Sequence, residues 1–254
     1  MSNGHPHERQ AETEAPQLDL SEKGTRQGKQ ISLDNRLFMQ FMAFGGCADS
    51  QAAIDALEAA DIEGVLYLDV TDAQGIGLLV MSEDPDYFVT AVRDVLNAEP
   101  FTSYTHKPEF NMLGRTYSIG YERDLEDTLL IKPRMKTRDP QFQWAVWYPL
   151  QRAKMFQTLP EAKQRQILAE HGTLGKRYGY AGLASDIRLA CHGLDKHDND
   201  FVIGLLGPNL FPLSAIVQEM RKTEQTSQYL DSLGPFFVGK VAWQSPQPEV
   251  EPHD

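Results

Sequence analysis

The sequence predicts an α+β protein built from two βαββαβ modules packed sheet to sheet, and three observations carry that prediction. Apolar runs and amphipathic stretches follow one order in each half of the chain. Each half sets a hairpin between its two helical stretches. Of the 254 residues, 41% are hydrophobic, enough for one or two compact domains. The modules are expected over 31–138 and 139–244.

Taken in order, Met1 to Gln30 contains no Phe, Trp or Tyr and is rich in polar side chains, so residues 1–30 are expected as a disordered tail. Met39 to Gly46 reads as a strand, and Gln51 to Ala60 as a helix with Ile54, Leu57 and Ala60 on one face. Gly64 to Val70 and Gly75 to Met81 are Val/Leu/Ile-rich runs joined by a polar turn, a hairpin. Pro85 opens a second helix whose stripe runs Phe88, Val89, Val92, Val95 and Leu96, and Asn111 to Tyr121 closes the module as a strand. The second half repeats this: a strand at Trp144 to Leu150, a helix from Pro160 to Arg177, a hairpin of Asp186 to Leu194 and Phe201 to Gly207, a helix from Leu213 to Leu230, and a strand from Pro235 to Trp243. Each unit is the ferredoxin-like split βαβ, and a pair of them is the arrangement called a dimeric α+β barrel. Residues 245–254 alternate proline with acids and are expected as a second disordered tail.

A net charge of −12, from 36 acidic against 24 basic residues, repels phosphate backbones and anionic lipid, so neither nucleic acid nor a membrane is an expected partner. No apolar run approaches the roughly 20 residues of a bilayer span, and the N-terminal stretch has no signal core. Two cysteines, Cys47 and Cys191, make no disulfide framework; a cytoplasmic location with reduced thiols is the expectation.

Polar residues on apolar stripes are the informative ones. The inward positions of the first long helix of the second half are Ile167, Leu168, His171 and Leu174; those of the other are Leu213, Ile216, Val217, Met220, Glu224 and Ser227. Each polar group is costly to bury alone, and both helices pack on one sheet, so His171 and Glu224 can meet. A carboxylate that accepts from one imidazole nitrogen orients the other toward a metal. A single histidine on such a stripe is more often a hydrogen-bonded core residue, and the pairing is what argues for a ligand. A second cluster, Cys191, His192, Asp195, His197, Asp198 and Asp200, has metal-ligand chemistry, but it falls on a predicted turn, where polar residues need no ligand to explain them.

The stretch from Trp144 to Trp243 resembles the chlorite dismutase family, which includes the coproheme decarboxylases. The resemblance rests on Trp147-Tyr148-Pro149-Leu150, Glu170-His171-Gly172 with Gly175 and Tyr178, Gly193-Leu194-Asp195, Met220-Arg221-x-x-Glu224, and Gly234-Pro235-Phe236-Phe237-Val238-Gly239. The first half is similar mainly in pattern. The resemblance implies a haem cofactor, either coproheme or haem b, with His171 as iron ligand and Glu224 hydrogen-bonded to it. It implies Tyr148 as the radical-forming tyrosine of a decarboxylase, with Arg152, Arg221 and Thr226 holding porphyrin carboxylates. Hydrogen peroxide is then a co-substrate, and a ring homo-oligomer, such as a pentamer, the expected assembly. Asp186 stands at the distal position, where chlorite-degrading members carry arginine and many decarboxylases glutamine. That departure argues against chlorite and leaves Asp186 as a distal acid or base. Other readings of the same resemblance are a haem b enzyme with peroxidase-like activity on another substrate, and a non-catalytic haem-binding member.

Overall fold

Runs of Val, Leu, Ile and Phe without polar alternation suit strands buried on both faces, and the central strands of this protein are of that kind. The structure is a computed structural model and describes residues 18–247. It begins with a hairpin, β1 (Glu22–Arg26) and β2 (Lys29–Leu33), whose turn residues Gln27 and Gly28 both have positive φ, as a two-residue type I′ turn requires. The first module follows as β3 (Phe38–Gly45), α1 (Gln51–Ala59), β4 (Gly64–Asp69), β5 (Ile76–Ser82), α2 (Asp86–Val89), α3 (Ala91–Leu96) and β6 (Thr105–Arg115). A π-helical turn, Asp127–Ile131, leads into α4 (Lys132–Thr137). The second module is β7 (Trp144–Arg152), α5 (Glu161–Tyr180), β8 (Ser185–Ala190), β9 (Phe201–Gly207), α6 (Leu210–Met220), α7 (Glu224–Gln228), β10 (Leu230–Leu233) and β11 (Phe237–Gln244).

The α+β fold expected is the fold observed. All pairings are antiparallel, in the order β10-β7-β11-β4-β5-β3-β6-β8-β9, and β9 pairs back onto β7. The sheet therefore closes into a barrel, with β10 added at the edge of β7. Each module keeps the split-βαβ order, β4-β5-β3-β6 and β8-β9-β7-β11. The modules do more than face each other, since they are hydrogen-bonded edge to edge, β4 to β11 and β6 to β8. Closure leaves the barrel itself without free edges.

The barrel interior is filled by Phe41, Tyr67, Trp147 and Phe237 among aliphatic side chains. Glycines on the walls make room for these rings: a Cβ at Gly204 would stand 2.5 Å from the Trp147 ring, and one at Gly77 would stand 2.5 Å from Phe237. Two further clusters lie outside the barrel, one beneath the helices of each module.

Several expectations are corrected. Of the 1–30 tail, the part from Glu22 is a hairpin; Glu22 accepts from Ser118 N–H at 2.8 Å and Thr25 N–H donates to Glu122 O at 2.9 Å, so backbone pairing orders a segment poor in apolar residues. Residues 1–17 lie outside the described range. The C-terminal tail read from 245 is still anchored at its start: Ser245 N–H donates to Gly64 O, and buried Arg138 donates to Pro246 O at 2.9 Å; residues 248–254 are outside the described range. The helix expected after Pro85 breaks at Thr90, whose hydroxyl donates to Asp86 O and whose backbone (φ −117, ψ −96) leaves the helical region. The strand placed at Asn111 to Tyr121 begins at Thr105 and ends at Arg115, with a bulge in its pairing to β3 that takes up Pro108. The helix expected over Leu213 to Leu230 is α6 plus α7, divided where Thr223 caps the second piece, and its last residue, Leu230, opens strand β10. Among the described residues no helix is long and apolar enough to cross a membrane.

Candidate functional site

Alternation along β8 puts Ile187 and Leu189 inside the barrel and Asp186 and Arg188 on its outer face. Strand register then lines up the site. Tyr148 on β7 pairs with Ile203 on β9, which pairs with Arg188; in the next row Val146 pairs with Leu205 and Leu205 with Asp186. Arg188 and Tyr148 thus share one row with Ile203 between them, and Arg188 Nε lies 3.1 Å from Asp186 Oδ2. Tyr148 is buried, with the Phe236 ring 4.6 Å from its own. Burial, and after it the charge of Asp186, hold the Tyr148 phenol well above the usual tyrosine range, so at neutral pH it keeps its proton.

At the end of β7, the backbone N–H of Arg152 donates to Asp200 Oδ2 at 2.6 Å, while its guanidinium lies between two rings, 4.6 Å from Phe156 and 4.8 Å from Phe201. Its Nε is buried and has no hydrogen-bond partner among the described residues. A half-buried guanidinium over aromatic faces, with a buried donor unused, is a site for an anion, because guanidinium grips carboxylate better than any other side chain. The Tyr117 ring lies 5.6 Å from the same Phe201 ring, tilted by 46° to it.

Helix α5 stands off this sheet. Ile167 is its one buried residue, packed with Phe156 and Tyr229 in a small cluster of their own. Of the stripe expected to face inward, Leu168 is exposed, and His171 and Leu174 are half-buried. A Cβ at Gly172, beside His171, would meet nothing within 4 Å. Burial first, then the positive charge of Arg188, hold the His171 imidazole below its usual value, while Asp186 acts in the opposite sense. The ring is neutral at neutral pH and senses the outer face of β8.

The structure corrects the partner of His171. The Glu224 carboxylate is held by Lys163 Nζ on α5 at 2.8 Å, and its backbone N–H donates to Glu170 Oε2 at 3.1 Å. The side chain near His171 Nδ1 is Thr223, with Oγ1 at 3.5 Å. The break between α6 and α7 is the cause: as N-cap of α7, Thr223 turns its hydroxyl inward, and Glu224 starts the next helix facing Lys163. The Thr223 hydroxyl donates to Met220 O at 2.8 Å, so toward His171 it accepts. This assigns the proton to Nδ1 and leaves the Nε2 lone pair free, the form that binds a metal.

Arg221 and Thr226 come together on the wall of a depression of about 340 Å³ with Leu230, Asp231, Ser232 and Leu233. Leu230 is the β10 residue that pairs with Arg152. In the second cluster read from the sequence, Cys191 is buried in the barrel interior, donating to Asn199 O at 3.0 Å, whereas His192 is outside and pairs with Asp200 at 3.2 Å. Among the described residues, no group of three or more His, Cys, Asp or Glu side chains could hold a metal ion.

Four residues near the site were missed by sequence reasoning: Tyr117, Lys163, Arg188 and Thr223. Arg188 was legible, being two residues from Asp186 on a strand and hence on its face. So was Thr223, a threonine followed by an acid, the ordinary start of a helix. Tyr117 and Lys163 carry no local signal.

A family model described as chlorite dismutase matches residues 51–242, which takes the likeness back into the first module. Among solved structures, a heme-binding protein from Thermus thermophilus is 21% identical, with a TM-score of 0.63 over 82% of this chain and 91% of that one. A chlorite dismutase from Candidatus Nitrospira defluvii, in complex with imidazole, is 12% identical, with a TM-score of 0.64 over 83% and 92%. At these identities the likeness is one of fold. No curated protein sequence matches the chain.

Proposed function

Because the chain belongs to the chlorite dismutase family, we propose that it is a haem-dependent oxidoreductase resembling a coproheme decarboxylase, which uses peroxide to convert porphyrin propionates to vinyl groups. The residues present fit an iron porphyrin. The observation that carries the reading is Arg152, a half-buried guanidinium whose buried Nε has no hydrogen-bond partner among the described residues, on the outer face of the sheet that also bears Tyr148 and faces a neutral imidazole. His171 would bind iron through Nε2, and Arg152 would take one carboxylate of the porphyrin. Arg221 and Thr226, on the neighbouring wall by β10, are proposed for another.

When bound, the iron porphyrin supplies the oxidising power of peroxide; each propionate, with one peroxide and one proton, gives a vinyl group, carbon dioxide and two waters. Tyr148 is the residue that removes an electron and a proton from the substrate side. Since the phenol is protonated at rest, its oxidation releases a proton, and Asp186, whose charge already reaches it, is the nearby base. Phe236 holds the ring in place. Thr223 maintains the ligand tautomer of His171.

The test is conversion of ferric coproporphyrin by peroxide, followed by mass spectrometry. The protein should yield haem b, and Tyr148→Phe should bind the porphyrin but leave its propionates intact. Unchanged coproporphyrin with the wild-type protein refutes the decarboxylase role. A second reading, a haem b enzyme with peroxidase-like turnover of another substrate, is favoured by the charged pair Asp186 and Arg188 on the face opposite His171. A ring homo-oligomer and a cytoplasmic location belong to the same proposal; the strongly exposed Tyr180 and Phe211 are apolar surface that assembly would cover.

A further inference from the structure

The hairpin β1–β2 lies outside the residues that the family model matches, and it brings only Ile31 and Leu33, both partly buried, to the barrel cluster. What it grips is the segment 116–122, which leaves β6 toward the second module. Ser118 N–H donates to Glu22 Oε2 at 2.8 Å, and Arg115 holds Glu22 Oε1 at 2.9 Å. Ser118 Oγ accepts from Lys23 N–H at 3.2 Å and donates to Lys23 O at 2.7 Å. Farther along, Thr25 donates twice, its N–H to Glu122 O and its hydroxyl to Gly120 O, both at 2.9 Å. The contact leaves no room for a side chain, since a Cβ at Gly24 would stand 2.5 Å from Glu122 O.

The segment is tied from within as well. The Glu122 carboxylate accepts from the N–H groups of Ile119 and Gly120 at 2.9 Å, and Thr116 exchanges bonds of 2.9 Å with the backbone of Leu37. Tyr117 is therefore flanked by two anchored residues. Its ring lies 5.6 Å from that of Phe201, and with Ile119, Lys136, Asp186 and Arg188 it lines a cavity of about 110 Å³. The charges of Asp186 and Arg188 reach both Tyr117 and His171, so the segment and the imidazole border one space.

We infer that the hairpin is a clamp: it holds segment 116–122 shut and so makes Tyr117 a fixed wall of the space opposite His171, which selects ligands there by size. Glu22 and Gly24 are positioning residues, acting through Ser118 and Glu122. A loop tied only at its ends opens at little cost, whereas bonds spaced along it must break together before the wall can swing. A ligand small enough to fit beneath the closed wall binds without breaking them. A broader one must first open the clamp, and its affinity falls by that cost. The clamp stands on the hydrogen bonds alone; what occupies the space rests on the haem reading.

The experiment has two readouts on the full chain. Amide hydrogen exchange, followed by mass spectrometry, should show residues 118–122 protected in the wild type and exposed in Glu22→Ala and Gly24→Val, with the strands β4 and β5 unchanged in all three. Glu22→Gln keeps an oxygen for Ser118 N–H and should restore most of the protection. On the ferric haem-loaded protein, optical titration should show imidazole binding about tenfold tighter in Glu22→Ala and Gly24→Val than in the wild type, the release of one or two net hydrogen bonds, while cyanide affinity stays the same. Protection of 118–122 that is unchanged in both variants overturns the clamp. Lost protection with an unchanged ratio of imidazole to cyanide affinity overturns the wall. A wild-type protein that shows no Soret band on loading overturns the haem reading, and the exchange data still decide the clamp.

Discussion

Cys191 sits inside the barrel with its thiol donating to the Asn199 carbonyl, and burial, with Asp195 and Asp200 nearby, pushes it up to about 12 from an ordinary 9.0. Above pH 9 the unfolded chain gives up this proton while the folded one keeps it. The thiol's contribution is therefore complete below pH 9 and lost as the pH rises toward 12. Buried Tyr67 and Tyr148, both raised by burial, add to the alkaline loss. Urea unfolding midpoints of Cys191→Ala should fall less steeply across this window than those of the wild type; parallel slopes would contradict the account. The same residue shows what single positions reveal in a sequence. Cys191 and His192 look like one ligand cluster, yet strand alternation sends them to opposite sides of the wall. His171, Tyr148 and Arg152 stand out through their types and their neighbours, whereas the contact of Arg152 and nearby Phe156 with Phe201 joins two segments that no local pattern links.

Between α6 and α7 the chain chooses a cap over a longer helix, and the site depends on that choice. Thr223→Ala should cost about 1 kcal/mol, the usual value of an N-cap. It should also free His171 Nδ1, visible as a change in the axial-ligand signature of the haem-loaded protein by resonance Raman spectroscopy. Glu224→Gln removes a solvent-screened pair with Lys163 and should cost little stability, with little change in that signature. A large spectral change in Glu224→Gln alone would show that the acid does reach His171. Elements defined by unbroken apolar runs were legible, Phe201 to Gly207 to the residue. Elements defined by caps and turns were less so, because hydrophobic periodicity continues through Thr90 and Thr223 although the backbone does not. The β1–β2 hairpin was missed for a related reason: composition argued against a core, while its signal lay in the Gln27-Gly28 turn.

For the molecule as a whole, closure of the barrel decides which surfaces remain for function. The interior is packed with large rings over glycines, so no ligand enters there. The two module joints differ: β4 and β11 pair from Asp69 with Gly239 to Val65 with Gln244, whereas β6 and β8 meet at Arg115 with Ala190 alone. The lightly joined strand is β8, which carries Asp186 and Arg188, and helix α5 stands away from the same face. The duplicated order of elements was legible because each module repeats it. The edge-to-edge joints were not, since they pair strands distant in sequence.

The most direct test is a titration of the metal-free protein with ferric coproporphyrin, followed by absorption and electron paramagnetic resonance spectra of wild type and His171→Ala. An intense Soret band with a histidine-ligated ferric signal in the wild type, and loss of that signal in His171→Ala, is the result predicted. Identical spectra for the two proteins would contradict it.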